Sequence, residues 1–303
     1  MGKFILKRLL YMIPVLLGVA FLVFAILSLT PGDPGTIILG ITAKPEDIAS
    51  LNEQFGYNKP FLIRFFSYIK DIVLHFNLGV SYQTREPVIN DIMAKFPNTL
   101  KLTIFSMSLS AIIGISFGII SAVKQYSALD HICVVTALVF ACIPGFWLGL
   151  MLMMLFSLKL GWLPSYGAES LKNFILPTLT VSMTSAAGLL RLTRSAKAKG
   201  ASKKRIIIKH ALRNALMPVV TTLGTSFGAS LGGAIIAETV FAMPGMGTLI
   251  TTAIRQKDIP MVMGSTLFLA VLFSLIILLV DILYAVIDPR IMDKYKKGGK
   301  GND

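Results

Sequence analysis

Residues 9–29 form a run of 21 side chains without a single charge, about the length an α-helix needs to cross the ~30 Å hydrocarbon core of a bilayer. Five further stretches have the same character: residues 102–123, 132–158, 175–191, 215–241 and 259–287. The fourth is the shortest and least apolar, and the last two carry one acid each, Glu238 and Asp281. Segments of this kind can hide their backbone polar groups from lipid only by becoming helical. The chain therefore reads as an all-α membrane protein with six transmembrane helices. Lys3, Lys7 and Arg8 precede the first run as they would precede a secretory signal, but the run is longer than a signal's apolar region and no small-x-small cleavage pattern follows, so it reads as an uncleaved span. With 54% hydrophobic and 15% charged residues, a soluble enzyme is excluded. Two cysteines and three histidines exclude a disulfide scaffold and leave little for a Cys/His metal site.

The charges give an orientation. Six crossings with the N-terminus inside place Lys3, Lys7, Arg8, Lys124, nine basic residues between 191 and 213, Arg290, Lys294, Lys296, Lys297 and Lys300 on the inner side, which is 18 of the 29 Lys and Arg. The acids Asp130, Asp281, Asp288, Asp293 and Asp303 fall on that side or at its edge, and the other ten fall outside or in span five. Inner loops rich in Lys and Arg are the expected signature of this arrangement, so the sequence predicts both termini inside. The formal charge of +14 would point to nucleic acid in a soluble protein; here it marks orientation, and no nucleic-acid partner is expected.

Four parts follow: residues 1–29 as inner N-terminus and first span, 30–101 as an extracytoplasmic region, 102–287 as a five-span core enclosing an inner loop at 191–218, and 288–303 as a basic inner tail. The outer region opens with helix-breaking Gly32, Asp33, Pro34 and Gly35. Residues 45–55 have acids in the first turn, Ile48, Leu51 and Phe55 on one face, and Gly56 as a stop. Residues 60–76 place Leu62, Phe65, Phe66, Ile69, Ile72, Val73 and Phe76 at helical spacing. Such an aromatic amphipathic helix either lies in the outer headgroup zone or caps the spans.

The inner loop holds nine basic residues and no acid in its 23 positions from 191 to 213. Composition alone would make it a lipid-facing anchor. Its arrangement says more: an Ala- and Lys-rich stretch stops at Gly200, and a second helix-forming stretch runs from Ser202 to Pro218. A helical elbow between two spans is suited to receive force from a soluble partner.

The stretch AKAKGASKKRIIIKHALRNALMP (196–218) closely resembles the signature loop of permease subunits of ATP-binding-cassette importers, in the peptide and nickel branch. The family pattern of EAA, three residues and Gly, with a hydrophobic residue and Pro further on, falls on Arg194, Ser195, Ala196, Gly200 and Pro218. Other segments resemble the same branch in its order: TPGDP (30–34), LGVS (78–81), PNTLKLT (97–103), LPTL (176–179), ETVFAMPGMG (238–247) and DPRI (288–291). The chain departs from the pattern in having Arg194 where the general motif has Glu. It also lacks roughly a dozen residues that relatives carry between the basic end of span four and the AKG turn, about 20 Å of helix at 1.5 Å per residue.

The resemblance implies a type I importer permease that pairs with a related second permease as a heterodimer, with two cytoplasmic ATPase subunits and an extracytoplasmic solute-binding protein. It implies cargo of peptides, from dipeptides to oligopeptides, or nickel complexes, and no cofactor in this chain, with ATP and Mg bound by the ATPase subunits. The coupling residues it implies are Arg194, Ser195, Ala196, Lys197, Lys199, Gly200, Lys203, Lys204, Arg205, Lys209 and His210. No GxxxxGK[ST] loop and no cluster of nucleophile, base and orienter appears in the sequence, so the chain reads as a transport subunit without its own ATPase site. The alternatives are an ATPase-independent channel or gradient-driven transporter, which would show buried coupling charges or broken helices at mid-membrane, and a membrane anchor for anionic lipid or nucleic acid.

Among single residues, Gly224, Gly228 and Gly232 repeat every four positions in span five and form a helix-packing face, with a cargo lining as the alternative. Asp281, inside the last span, calls for a basic partner. Cys133 and Cys142 fall on opposite faces of one helix and cannot pair with each other. His75, His131 and His210 lie in three separate segments, and Met151, Met153 and Met154 read as packing residues rather than soft-metal ligands.

Overall fold

The computed structural model describes residues 2–29, 32–197, 222, 224–228, 230 and 234–287. Eleven α-helices are named here in chain order: α1 (Gly2–Leu29), α2 (Pro34–Leu39), α3 (Pro45–Gln54), α4 (Phe61–His75), α5 (Val88–Val123), α6 (Ala128–Cys142), α7 (Gly145–Leu152), α8 (Ile175–Lys197), α9 (Ile235–Val240), α10 (Met246–Arg255) and α11 (Ile259–Ile287). A π-helical stretch, Met153–Lys159, prolongs α7, and a 3-10 turn, Leu171–Phe174, leads into α8. Among the described residues the β-structure is limited to an isolated bridge between Val80 and Pro87.

Among the described residues four helical segments are long and apolar enough to cross a membrane: Ile5–Leu29, Val88–Val123, Leu171–Ser195 and Ile259–Leu283. The all-α membrane architecture expected from the sequence is therefore present. Two runs differ from that expectation. α5 has 36 residues, about 54 Å at 1.5 Å per residue, and begins 14 residues before the apolar run at 102. Asn90, Asp91, Lys95 and Lys101 make its first turns polar, so hydropathy misses them, and the helix runs on through Pro97 without ending.

The run at 132–158, expected as one span, is broken into α6 and α7, bent by 100°. Pro144 is the cause. It has no N–H to donate and pushes the residue before it out of the α region; Ile143 is extended, with φ −71 and ψ 125. The fifth run, 215–241, lies largely outside the described residues, and its end forms the short α9.

Among the described residues α5 and α8 form the most extensive helix pair, and their closeness is set by small side chains. Ser106, Ser110, Gly114 and Gly118 recur every four residues along α5, all buried. A methyl group on Gly114 would lie 2.6 Å from Leu189 Cβ, and one on Gly118 would lie 2.6 Å from Thr193 Cβ. Where association in lipid depends on packing, such stripes let backbones approach. α6 joins this pair through Ala137, Ala187 and Leu190. A separate body forms where Val88 and Ile92 of α5 meet Met246 and Ala253 of α10 and Met261 and Val262 of α11.

α1 lies along α11 and is mostly exposed, as a lipid-facing helix would be. One end of it is covered by α4, whose Phe61, Phe65 and Tyr68 pack against Phe21 and Phe24. The helices expected at 45–55 and 60–76 are α3 and α4. Gly56 ends α3 with a left-handed φ of +64, and Leu62, Phe66 and Val73 of α4 remain exposed.

Candidate coupling site

The site expected at the elbow begins where α8 ends. α8 continues unbroken from Ile175 through Arg194 to Lys197, so span four and the first elbow residues are one helix. Arg194 does not project freely. Its Nε donates to Asp130 Oδ1 and its Nη2 to Asp130 Oδ2, both at 2.8 Å, the bidentate geometry in which guanidinium and carboxylate match best. Ser121 Oγ of α5 also donates to Oδ1, and the Tyr126 N–H donates to Oδ2 at 2.8 Å. Asp130 is 1% exposed and receives four hydrogen bonds from three parts of the chain. This satisfies a buried carboxylate that would otherwise be costly.

Local sequence explains its placement. Ser127 caps α6 and Asp130 stands in its first turn, a Ser-x-x-Asp pattern in which an acid favours the positive end of the helix. The sequence reading passed over this signal. Ser195 is exposed, with Oγ donating to Leu192 O at 2.8 Å, and Ala196 and Lys197 end α8. Lys199, Gly200, Lys203, Lys204, Arg205, Lys209 and His210 lie outside the described residues, as does Gly232. Gly224 and Gly228 face α11: a methyl on Gly228 would lie 2.5 Å from Phe273 Cδ2, and one on Gly224 would collide with Val280. Asp281 of α11 meets Arg8 of α1, with Nη1 3.0 Å from Oδ2. Among the described residues no group of three or more His, Cys, Asp or Glu could hold a metal ion, and Cys133 and Cys142 are free thiols.

Four other segments singled out in the sequence prove to be polar clamps at helix ends. In TPGDP, Asp33 caps α2, accepting from the Thr36 N–H at 2.9 Å, from Thr36 Oγ1 at 2.7 Å and from Asn52 Nδ2 at 2.6 Å. Asn52 Oδ1 in return accepts from the Gly35 N–H at 2.7 Å. Partial burial opposes ionisation of Asp33, but these hydrogen bonds outweigh it and hold the carboxyl below its usual range. In LGVS, Ser81 Oγ donates to Asp258 Oδ2 at 2.5 Å, just ahead of α11.

PNTLKLT and ETVFAMPGMG interlock. Thr99 Oγ1 donates to Glu238 Oε1 at 2.5 Å and accepts from the Met246 N–H at 2.7 Å. Glu238 Oε2 accepts from the N–H groups of Gly247 (2.7 Å) and Thr248 (3.2 Å) at the start of α10. Asn98 Nδ2 adds a bond to Pro244 O at 2.9 Å. A methyl on Gly247 would lie 2.5 Å from Ile235 Cα, and one on Gly245 would overlap the Glu238 carboxylate, so the chain reversal between α9 and α10 admits only glycine at both places.

Among the described residues the arrangement is a set of long apolar helices whose ends are pinned by buried polar contacts, with one pinned end at Arg194, the first of the elbow residues.

Comparison with known proteins covers nearly the whole chain. Residues 1–103 match the family described as binding-protein-dependent transport system membrane component, N-terminal, and residues 114–293 match the binding-protein-dependent transport system inner membrane component. The dipeptide transport system permease protein DppB of Alkalihalophilus pseudofirmus is 38% identical over 332 aligned positions, covering 96% of this chain and 99% of that protein. The glutathione transport system permease protein GsiC of Salmonella choleraesuis is 41% identical over 309 positions, covering 98% and 100%. The methionine ABC transporter MetNI in an inward-facing conformation shares the fold, with a TM-score of 0.54 at 19% identity over 65% of this chain and 96% of that one. The chain belongs to the binding-protein-dependent transport system inner membrane components and is a multi-pass transmembrane permease subunit of an ATP-driven importer.

Proposed function

We propose that this permease imports short peptides, pairing with a second, related permease so that each supplies half of the translocation path. The observation that carries the cargo assignment is near-full-length similarity to permeases named for dipeptide and for glutathione transport, glutathione being itself a tripeptide. Both termini lie inside and six helices cross the membrane, a reading supported by the Lys and Arg distribution. The region at 30–101 and the loop at 159–174 then face outward. A polar depression of about 660 Å³ lined by Trp162, Tyr166, Glu169 and Lys172 lies on that outer face, where the solute-binding protein docks.

The elbow at 197–210 contacts the cytoplasmic ATPase subunits, which bind ATP and Mg. Its excess of Lys and Arg suits acidic groove edges on that partner. A gradient-driven mechanism has less support: the helix break at Pro144 is the kind of feature such transporters use, but residues 132–158 contain no Asp, Glu, Lys or Arg. The test is uptake by proteoliposomes holding both permeases, the ATPases and the binding protein, supplied with a radiolabelled dipeptide or with nickel(II). ATP-dependent dipeptide uptake is the expected result; nickel uptake alone overturns the cargo assignment. Neutralising Lys203, Lys204 and Arg205 should weaken ATPase assembly and uptake together, and unchanged values overturn the coupling role of the elbow.

A further inference from the structure

We propose that Asp130 is the positioning residue for the start of the coupling elbow: by clamping Arg194 to the turn between α5 and α6, it makes the elbow residues Arg194–Lys197 move with the α5–α6–α8 body. The proposal rests on the reading of the elbow as the ATPase contact.

The geometry is specific. α8 stays in van der Waals contact with α5 as far as Thr193, which meets Gly118, and the next residue is Arg194. Arg194, Ser195, Ala196 and Lys197, the first four coupling residues, continue the same helix, so the clamp acts within the first turn of the elbow. A single bond at that point would leave α8 free to pivot. The two parallel bonds of Arg194 to Asp130 fix an orientation as well as a distance.

Asp130 is itself immobilised by Ser121 Oγ at the end of α5 and by the N–H of Tyr126. Tyr126 adopts a left-handed φ of +66, a conformation that non-glycine residues adopt only when their surroundings impose it. Here that conformation aims its N–H at the carboxylate. Ser127 Oγ, which donates to Lys124 O at 2.6 Å, holds the rest of the turn. Three helix ends thus converge on one carboxylate, beside the point where an ATPase-driven displacement would enter.

The shortened connection gives the clamp its significance in this chain. The position that heads the elbow pattern and the position that is clamped are the same residue, so no intervening helix can absorb movement by bending. The 332 and 309 aligned positions with relatives exceed the 303 residues of this chain, in keeping with segments that relatives carry and this chain lacks.

The experiment uses the complete transporter in nanodiscs, with Cys133 and Cys142 replaced by alanine and spin labels attached through Leu129→Cys and Ser195→Cys, both at exposed positions. In the otherwise native protein the interlabel distance should have one narrow distribution that persists when Mg-ATP and the binding protein are added. Asp130→Asn and Arg194→Gln should each broaden it and lower the stimulation of ATP hydrolysis by the binding protein about three- to tenfold, with the complex still assembled. Because both act on one clamp, the double variant should be no worse than either single one. Ser121→Ala, a milder change, should give an intermediate breadth even if the charge variants fail to fold.

Unchanged distances in Ser121→Ala and Asp130→Asn, or additive losses in the double variant, overturn the proposal. A broadened distance with undiminished stimulation overturns the positioning role while leaving the clamp as structure. Failure of the elbow's coupling role appears separately, as intact assembly and uptake after neutralising Lys203, Lys204 and Arg205.

Discussion

Arg194 of α8 and Asp130 of α6, 64 residues apart in sequence, meet in a two-point ion pair with both N–O distances at 2.8 Å. The relationship changes the meaning of the arginine that stands where the family's general pattern has glutamate. It is a partner chosen for a buried acid within the same chain. Arg194→Glu, which makes the elbow more like the general motif, should therefore be more harmful than Arg194→Gln. It places a second carboxylate against one that already accepts from Ser121 and Tyr126, and like charges at such contact are repulsive. The expected outcome is a lower melting temperature in detergent for Arg194→Gln and a further drop, with reduced membrane yield, for Arg194→Glu.

The α5–α8 seam makes a sharper prediction because it contains its own control. Gly114 and Gly118 leave no room for a methyl group, and for Gly114 the obstacles include the Ala186 carbonyl oxygen at 2.9 Å, a backbone atom that cannot rotate away. Gly188, on α8, has nothing within 4 Å of the same added atom. Gly114→Ala and Gly118→Ala should each cost about 1–3 kcal/mol as overpacking. Gly188→Ala should be neutral or slightly stabilising through helix propensity. Thermal unfolding of the three variants checks the order.

These glycines also show what could be read in the sequence and what could not. The stripe at 224, 228 and 232 draws attention because it stands in a glycine-rich run, whereas Ser106, Ser110, Gly114 and Gly118 have the same four-residue period written half in serine. Period alone would have found them. Hydropathy located the apolar runs well and their limits poorly, since α5 is helical long before it is apolar, and since Pro144 followed by Gly145 breaks a run whose composition is uniform. The family segments were legible as patterns, but their physical roles were not. Glu238, Asp258 and Asp33 act on partners 139, 177 and 19 residues away, and no local spacing reveals which donor a buried carboxylate will meet. Asp130 was half legible: Ser127-x-x-Asp130 marks a helix start, while the arginine it holds is given only by the fold.

The Asp33 clamp carries the pH dependence. Its folded carboxyl is held below its ordinary range by the Thr36 and Asn52 donors, which outweigh the effect of partial burial, so the folded state favours the ionised form more than the unfolded state does. A depressed pKa stabilises above the unfolded value and loses that contribution as pH falls through the folded one. The α2–α3 hairpin should therefore be indifferent to pH from neutrality down to about pH 4 and loosen below it. Hydrogen exchange of the Gly35 and Thr36 amides reads this directly. Asp33→Asn should show raised exchange already at pH 7 and lose the acid-dependent step.

The contact between Thr99 and Glu238 yields the last prediction. Glu238 is fully buried and Thr99 likewise, and together they satisfy three backbone donors at the start of α10: the N–H groups of Met246, Gly247 and Thr248. Helix N-termini leave such donors without intrahelical partners, and here burial removes water as a substitute. Thr99→Val keeps the shape but withdraws the hydroxyl, so it strands one N–H and one carboxylate oxygen at a cost of about 1–3 kcal/mol. Glu238→Gln keeps one acceptor oxygen and turns the other into a donor group; either Thr99 or the Gly247–Thr248 pair loses its bond. Because both residues serve one network, the double variant Thr99→Val/Glu238→Gln should lose less than the two single losses added together. A double-mutant cycle of thermal stability measures that difference. Strict additivity would show that the two segments are pinned independently, and that the short bond between them contributes nothing to holding α10 against α5.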